Sequence, residues 1–459
     1  MNDRVVYIRR HTSIQNTIQL IEQSHFDSAF VLDETGAYLG CVSVAELRRL
    51  LISGARGDER VDAYPLKHTC KISRQSLSDA KKTGRIISDM ELNGARFLPV
   101  VDDKGRIAEI LSLEKLAQTH GLPEPKDPDY EPHRMILIVG GGGYLGSVLT
   151  RKLLARGFRV RVLDSFIYGR RSLEDIVDDG KLEIVEGDFR NINTCVGSLA
   201  DVDAVILLAA IVGDPASRVR PTETIETNVL AAQALATASK LQHINRFLYA
   251  STCSVYGVGA ALLDEEAPLN PISLYARTKI ESEKIILGLG DDYFSPTILR
   301  MGTLYGYSPR MRFDLVVNTM SMKSFVDGKI QVFGGRQWRP LLGVGDAADV
   351  YVNCLETPLQ AVGNQVFNVG SDNQNYRIEE VAERISASLG GIPILKDDSN
   401  LDARDYRVSF SKLTEKLGFA PEETIESAAQ VIFNKLHSGA IVNPARRIYY
   451  NHFFDSTEE

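Results

Sequence analysis

Tyr275 and Lys279 stand four residues apart in the run LYARTKIESEKII. On a helix, residues four apart share one face, so the lysine ammonium lies beside the phenol and lowers its pKa from about 10. A tyrosine so placed can act as a base. Upstream, Ser251-Thr252-Cys253-Ser254-Val255-Tyr256-Gly257 closes an apolar run, where a hydroxyl can hydrogen-bond the oxygen of a reacting substrate. Further upstream, Gly140-Gly141-Gly142-Gly143-Tyr144-Leu145-Gly146 follows the run MILIV. In a GxxGxxG between strand and helix, Gly140 permits the tight turn, Gly143 lets backbone approach a pyrophosphate, and Gly146 lets the helix pack closely on the sheet. Asp164, 18 residues past Gly146, can accept from a ribose 2′-hydroxyl and repels a 2′-phosphate, which favours NAD over NADP. Arg170 and Arg171 work slightly against that preference.

These groups need a frame. Strands are expected at 135–140, 159–164, 182–188, 203–210 and 246–252, with helices at 144–156 and about 222–241. Strands alternating with helices imply an α/β fold, a doubly wound parallel sheet of Rossmann type, followed by a smaller C-terminal substrate-binding part. The glycine turn, the strand-end hydroxyl and the YxxxK in this order are specific where each alone is not.

At 459 residues the chain exceeds one domain. Segment 118–134, with prolines at 123, 125, 128 and 132, reads as a linker between parts at 1–117 and 135–459. Hydrophobic residues make up 44% and charged residues 24%, and no apolar run approaches the roughly 18 residues of a membrane span. The start, MNDRVVYIRRHTS, has no apolar h-region, so a cytoplasmic location is expected. A net charge of −8 argues against nucleic acid as a partner. The five cysteines and eight histidines show no metal-ligand spacing, so no metal is expected.

The first part repeats itself. Asp33 and Asp102 open DxxG turns 69 residues apart, and Ser43 and Ser112 end the strands that follow at the same spacing. Each copy reads as strand, turn, strand and short helix (45–51; 113–117), preceded by a helix at 13–23 or near 76–92. The repeat resembles a pair of CBS domains, an α+β module that in this family often binds adenine nucleotides between its copies. The family's ribose-holding positions fall on Ser43 and Glu46 in one copy and on Ser112 and Lys115 in the other. Glu46 can accept from ribose hydroxyls; Lys115 cannot. The alternative is a module that only joins subunits.

The second part, from about 135 to 437, resembles the extended short-chain dehydrogenase/reductase family, specifically its NAD-dependent nucleotide-sugar epimerases and dehydratases. That resemblance implies Tyr275 as base, Lys279 as the holder of the nicotinamide ribose and Thr252 as the catalytic Ser/Thr. It places Asp188 and Phe189 at the adenine, Ala209 and Ala210 along the cofactor, and Asn228 on the fourth helix. On the substrate side it implies Arg339 and Arg404 as a diphosphate clamp, with Arg310, Arg312 and Asn318 as further candidates. Thr303 replaces the family's Asn in Arg300-Met301-Gly302-Thr303-Leu304-Tyr305-Gly306.

The implied reaction starts with oxidation of a sugar hydroxyl, at O4, by NAD. The family's 4,6-dehydratases carry Asp-Glu directly after the catalytic Thr, where this chain has Cys253-Ser254. Cys253 stands one residue before the position of the proton-donating Cys of related epimerases and reads as packing. The expectation is a nucleotide-sugar C4 epimerase acting through a keto sugar, with a nucleotide-responsive CBS module and a homodimeric or higher assembly. The alternatives are a dehydrogenase/reductase or dehydratase of the same family, or a non-catalytic NAD and adenylate sensor.

Overall fold

The computed structural model describes residues 5–24, 28–43, 46–47, 50–51, 54–64, 66, 71–73, 97–112, 135–242, 244–291, 294–397 and 404–451. The expected linker, the helices near 76–92 and at 113–117, and Lys115 lie outside them. The chain divides into a unit at Met1–Tyr130 and one at Glu131–Glu459.

In the first unit, β1 (Val6–Arg9), β2 (Ser28–Leu32) and β3 (Tyr38–Ser43) form one three-stranded sheet, with α1 (Ile14–Glu22) between β1 and β2 in the chain. A second consists of β4 (Ile72–Ser73), β5 (Phe97–Val101) and β6 (Ile107–Ser112). Both pair their first two strands parallel and their last two antiparallel, as a repeat requires. The DxxG turns match atom for atom: Asp33 Oδ1 accepts from Thr35 N and Ala37 N at 2.8 Å, and Asp102 Oδ1 from Lys104 N and Arg106 N at 2.9 Å. Ala37 pairs antiparallel with Arg106, its equivalent in the other copy, which places a local twofold axis between the turns. Glu46 caps its own turn: its carboxylate accepts from Ser43 N at 3.0 Å, while Ser43 Oγ accepts from Glu46 N at 3.2 Å. The S-x-x-E spacing is thus a capping box, with Glu46 facing the backbone.

In the second unit, β7 (Met135–Val139) is buried at every residue and leads into α2 (Tyr144–Ala155), then β8 (Arg159–Asp164). Next come β9 (Leu182–Glu186), α3 (Ile192–Ser198), β10 (Ala204–Leu207) and α4 (Asp214–Val219). The expected helix at 222–241 is three segments: α5 (Pro221–Ile225), a π-helical turn at Glu226–Ala231, and α6 (Ala232–Leu241). There follow β11 (Arg246–Thr252), β12 (Val258–Leu263), α7 (Leu274–Gly288), β13 (Ser295–Met301) and β14 (Thr303–Tyr305). After α8 (Val316–Val326) come β15 (Ile330–Phe333), β16 (Trp338–Gly343), α9 (Val344–Glu356) and β17 (Gln365–Val369).

Seven strands make one parallel sheet in the order β17-β13-β11-β10-β7-β8-β9. The order reverses between β7 and β10, the switch point at which doubly wound sheets bind ligands. β10 is shorter than expected because Leu208 N and Ala209 N both donate to Val139 O, ending the regular ladder beside the glycine turn. A smaller part packs β14 with β16, β15 with β18 (Ile394–Asp397), and α8 with helix Ile425–His437 around Tyr305, Val317, Val332, Leu341 and Val381. Tyr449 is buried edge-on against Phe313, so this tail residue docks on its own domain.

Candidate active site

At the end of β7, Gly140 takes φ +92°, and a Cβ there would stand 2.7 Å from Ala209 N. A Cβ on Gly146 would stand 2.1 Å from Gly140 O, so helix and loop touch through backbone alone. Gly143 is the N-cap of α2 and offers no side chain to the first-turn N–H groups at Tyr144 and Leu145, which leaves a cradle suited to an anion. Asp164 stands over it, accepting from Gly142 N and Phe166 N at 2.8 Å each, and burial pushes its carboxyl up. These residues fit a dinucleotide. Arg170 is paired with Glu186, the neighbour of Asp164 on β9, so its charge is already matched.

Around the expected adenine turn, Phe189 is buried and Asp188 is held by Arg190 at 2.6 Å. Ala209 and Ala210 are half-buried after β10. Asn228 sits in the π turn, a local widening that recurs at functional sites. It accepts from Ile211 N at 2.8 Å and donates to Ile211 O at 3.0 Å and Thr278 Oγ1 at 3.2 Å, tying the loop after β10 to α7.

α7 begins where Ser273 Oγ accepts from Ala276 N, which brings Tyr275 into the first turn. Tyr275 and Thr252 are both buried, and Thr252 Oγ1 accepts from Ser254 N at 3.1 Å, which fixes the hydroxyl on the side of the phenol. Burial lifts the Tyr275 phenol to about 12; the strongest opposing influences are the positive charge of Arg312 and the nearby Thr252 hydroxyl. The sequence assigns that lowering to Lys279, and here the structure differs. Lys279 Nζ donates to Ala250 O at 2.8 Å, lies 4.7 Å from the Tyr249 ring centroid and 6.0 Å from that of Tyr275. Burial pulls its amine down to about 7, which weakens the cation available to the phenol.

Cys253 is buried, donates to Arg300 O at 3.1 Å, and has its thiol pushed up by burial, as a packing residue would. Arg300 is bound to Glu283 at 2.8 Å, and Glu283 accepts from Ser251.

On the substrate side, Thr303 opens β14, opposite Leu341. Arg339 and Arg404 come together: Arg339 Nη1 donates to the Arg404 carbonyl, and its guanidinium lies 5.8 Å from the Tyr406 ring centroid. Arg312 forms a two-pronged pair with Asp314 at 2.9 and 2.8 Å. Arg310 stacks 3.8 Å from the Tyr168 ring centroid and donates to Asn451 at 2.7 Å, in a cavity beside α2 that also has Arg151, Arg171 and Tyr307 in its wall. Asn318 departs from expectation. It is fully buried, accepts from Gly306 N at 2.8 Å, and donates to Tyr144 Oη at 3.1 Å and Arg312 O at 3.0 Å. Its polar atoms hold the loop carrying Arg312, a positioning task.

Sequence reasoning missed Asp214 and Glu283. Asp214 lies between Gly213 and Pro215 at the start of α4, and Glu283 lies one turn past Lys279 on the same face; both signals were present. Among the described residues no cluster of His, Cys, Asp and Glu could hold a metal ion.

The NAD dependent epimerase/dehydratase family model matches residues 136–370, and the CBS domain model matches residues 1–53, the first copy of the repeat. A UDP-glucose 4-epimerase of Lactobacillus helveticus is 28% identical over 274 residues, 55% of this chain and 81% of that one. A dTDP-glucose 4,6-dehydratase of an Actinoplanes species is also 28% identical, over 62% of this chain and 92% of its own. Among solved structures, MoeE5 in complex with UDP-glucuronic acid and NAD matches with a TM-score of 0.58 and 25% identity, covering 66% of this chain and 99% of that one. Just over half of the chain lies within the family match, over the same segment that folds as the parallel sheet, and the chain therefore belongs to the NAD dependent epimerase/dehydratase family.

Proposed function

We propose that this chain is a nucleotide-sugar 4-epimerase. The observation that carries the reading is the buried Tyr275–Thr252 pair next to Cys253 and Ser254, where a dehydratase needs carboxyl groups. NAD would be held by the Gly140–Gly146 turn and Asp164 and would supply the hydride acceptor for C4. Thr252 holds O4 by its hydroxyl, and Tyr275 takes the O4 proton, for which the phenol must be lowered from its buried value. Arg312 supplies part of that lowering. Arg339 and Arg404 hold the diphosphate, with the pyranose between them and Tyr275. With no carboxyl acid and base at 253–254 to expel water across C5–C6, the keto sugar turns over in the site, regains its hydride on the other face and recovers the proton from Tyr275.

The first CBS copy supports a regulatory role less directly, since Glu46 is engaged by its own backbone. Ser43 and the end of β6 at Ser112 are the positions we propose for an adenine nucleotide, with deletion of residues 1–117 abolishing any response to AMP, ADP or ATP.

The test is incubation of the purified protein with NAD and UDP-, GDP-, dTDP- and CDP-sugars in deuterated water. The expected result is a 4-epimer without deuterium and without net NADH. Net NADH or loss of water would overturn the reading.

A further inference from the structure

Gly213, at φ +93°, turns the chain after β10, and Asp214 opens α4 ahead of Pro215. α4 packs against α7, the helix of Tyr275 and Lys279, and the Asp214 charge reaches the Tyr275 phenol. One oxygen, Oδ2, lies 3.6 Å from Arg404 Nη1. The other, Oδ1, is shielded from solvent and has no hydrogen-bond donor among the described residues. A shielded carboxylate oxygen is costly to leave unpaired, so a donor from a bound molecule is favoured there.

The place of this oxygen narrows the donor. In a nucleotide sugar the diphosphate is attached at C1 of the ring and the oxidised carbon is C4. A group near both the diphosphate arginine and the C4 base therefore lies along the ring edge between them. Ring hydroxyls on that edge are donors, which an ionised carboxylate accepts. A ring carboxylate would instead bring like charge against it.

We propose that Asp214 reads the sugar ring, accepting from a hydroxyl on the edge between C1 and C4, and that it selects nucleotide sugars with neutral hexoses over uronic acids. This inference rests on the nucleotide-sugar reading above.

The experiment uses the full-length chain saturated with NAD, with UDP-glucose, UDP-galactose and UDP-glucuronate as probes. Wild type and the near-isosteric Asp214→Asn are compared in kcat and KM, alongside melting temperature and NAD affinity. The expected wild-type preference is for the two neutral sugars. In Asp214→Asn, kcat/KM for UDP-glucose falls about tenfold to a hundredfold, mostly through KM, as loss of a hydrogen bond to a charged group predicts. Activity on UDP-glucuronate holds or rises, while melting temperature and NAD affinity stay put. A purely structural role would instead depress all three sugars together and lower the melting temperature. If the variant does not fold, the wild-type preference still decides. A wild type that prefers UDP-glucuronate, or an Asp214→Asn with unchanged preference, overturns the inference and leaves the nucleotide-sugar reading intact. Failure to bind any nucleotide sugar overturns both.

Discussion

Removing one partner of the Arg300–Glu283 pair should cost far more than replacing both. The two side chains are 6% and 4% exposed, meet at 2.8 Å, and are linked to Ser251 on one side and Tyr256 Oη, at 3.0 Å, on the other. Glu283→Ala leaves the Arg300 guanidinium buried with its counter-charge gone, which costs about 3–5 kcal/mol. A double change to Met at 283 and 300 removes both charges and should fall within about 1 kcal/mol of wild type or above it. The catalytic unit of roughly 330 residues loses about 0.7 kcal/mol per kelvin near its midpoint, so the single variant should melt about 4–7 °C lower. Trp338 is the chain's one tryptophan and lies in this unit, so its fluorescence follows the transition there. Because Ser251 precedes Thr252, the single variant should also lose kcat, and the double variant should do so through misplacement of Ser251. A single variant within about 1 kcal/mol of wild type, or a double variant as unstable as the single one, would refute the argument.

Tyr275→Phe should lower kcat about a hundredfold to ten-thousandfold with NAD affinity unchanged, and Thr252→Ala should act in the same direction; single-turnover assays and calorimetry check both. Gly146→Ala drives a Cβ into Gly140 O, so it should abolish the stabilisation that added NAD gives in a melt. Lys279 is held down to about 7, so from there to the ordinary lysine range near 10.4 the unfolded chain binds a proton that the folded chain lacks. Stability without added NAD should therefore rise with pH across that window and be lost as pH falls through about 7, and Lys279→Met should flatten the slope in denaturant titrations. Arg312→Gln should shift the rise of kcat/KM to higher pH, since the Arg312 charge favours the ionised phenol.

What spacing within one element can encode was legible. β8 and β11 begin and end where the apolar pattern does, and the glycine turn, Asp164 and Thr252 all stand at the carboxyl ends of sheet strands, with Lys279 bonded to Ala250 O near the end of β11. The helix expected at 222–241 contains a π turn that no periodicity announces, because its cause is tertiary: Asn228 is held by Ile211 and Thr278. Asn318 was drawn toward the cleft by analogy, yet its partner Tyr144 lies 174 positions away, a pairing that local sequence cannot display. Glu46 shows the opposite difficulty. The same S-x-x-E serves as a capping box or as a ribose acceptor, and only the structure shows the backbone occupying it.

The electrostatics of the base follow from the same distinction. Lys279 shares a helix face with Tyr275, yet the charges that act on the phenol with opposite sign are Arg312, from the loop before α8, and Asp214, from the start of α4. Neither belongs to the helix that carries the base, and each stands on a segment that the proposed substrate would meet. A sugar hydroxyl donated to Asp214 offsets the negative charge that raises the phenol, while the Arg312 contribution remains, fixed by Asp314 and by the Asn318 bond to its backbone. Binding a neutral sugar therefore moves Tyr275 toward the ionised form it needs, whereas a uronic acid adds negative charge and moves it away. Under the proposed reading, selection of the sugar and activation of the base are one electrostatic event, set by loops that lie outside the YxxxK helix.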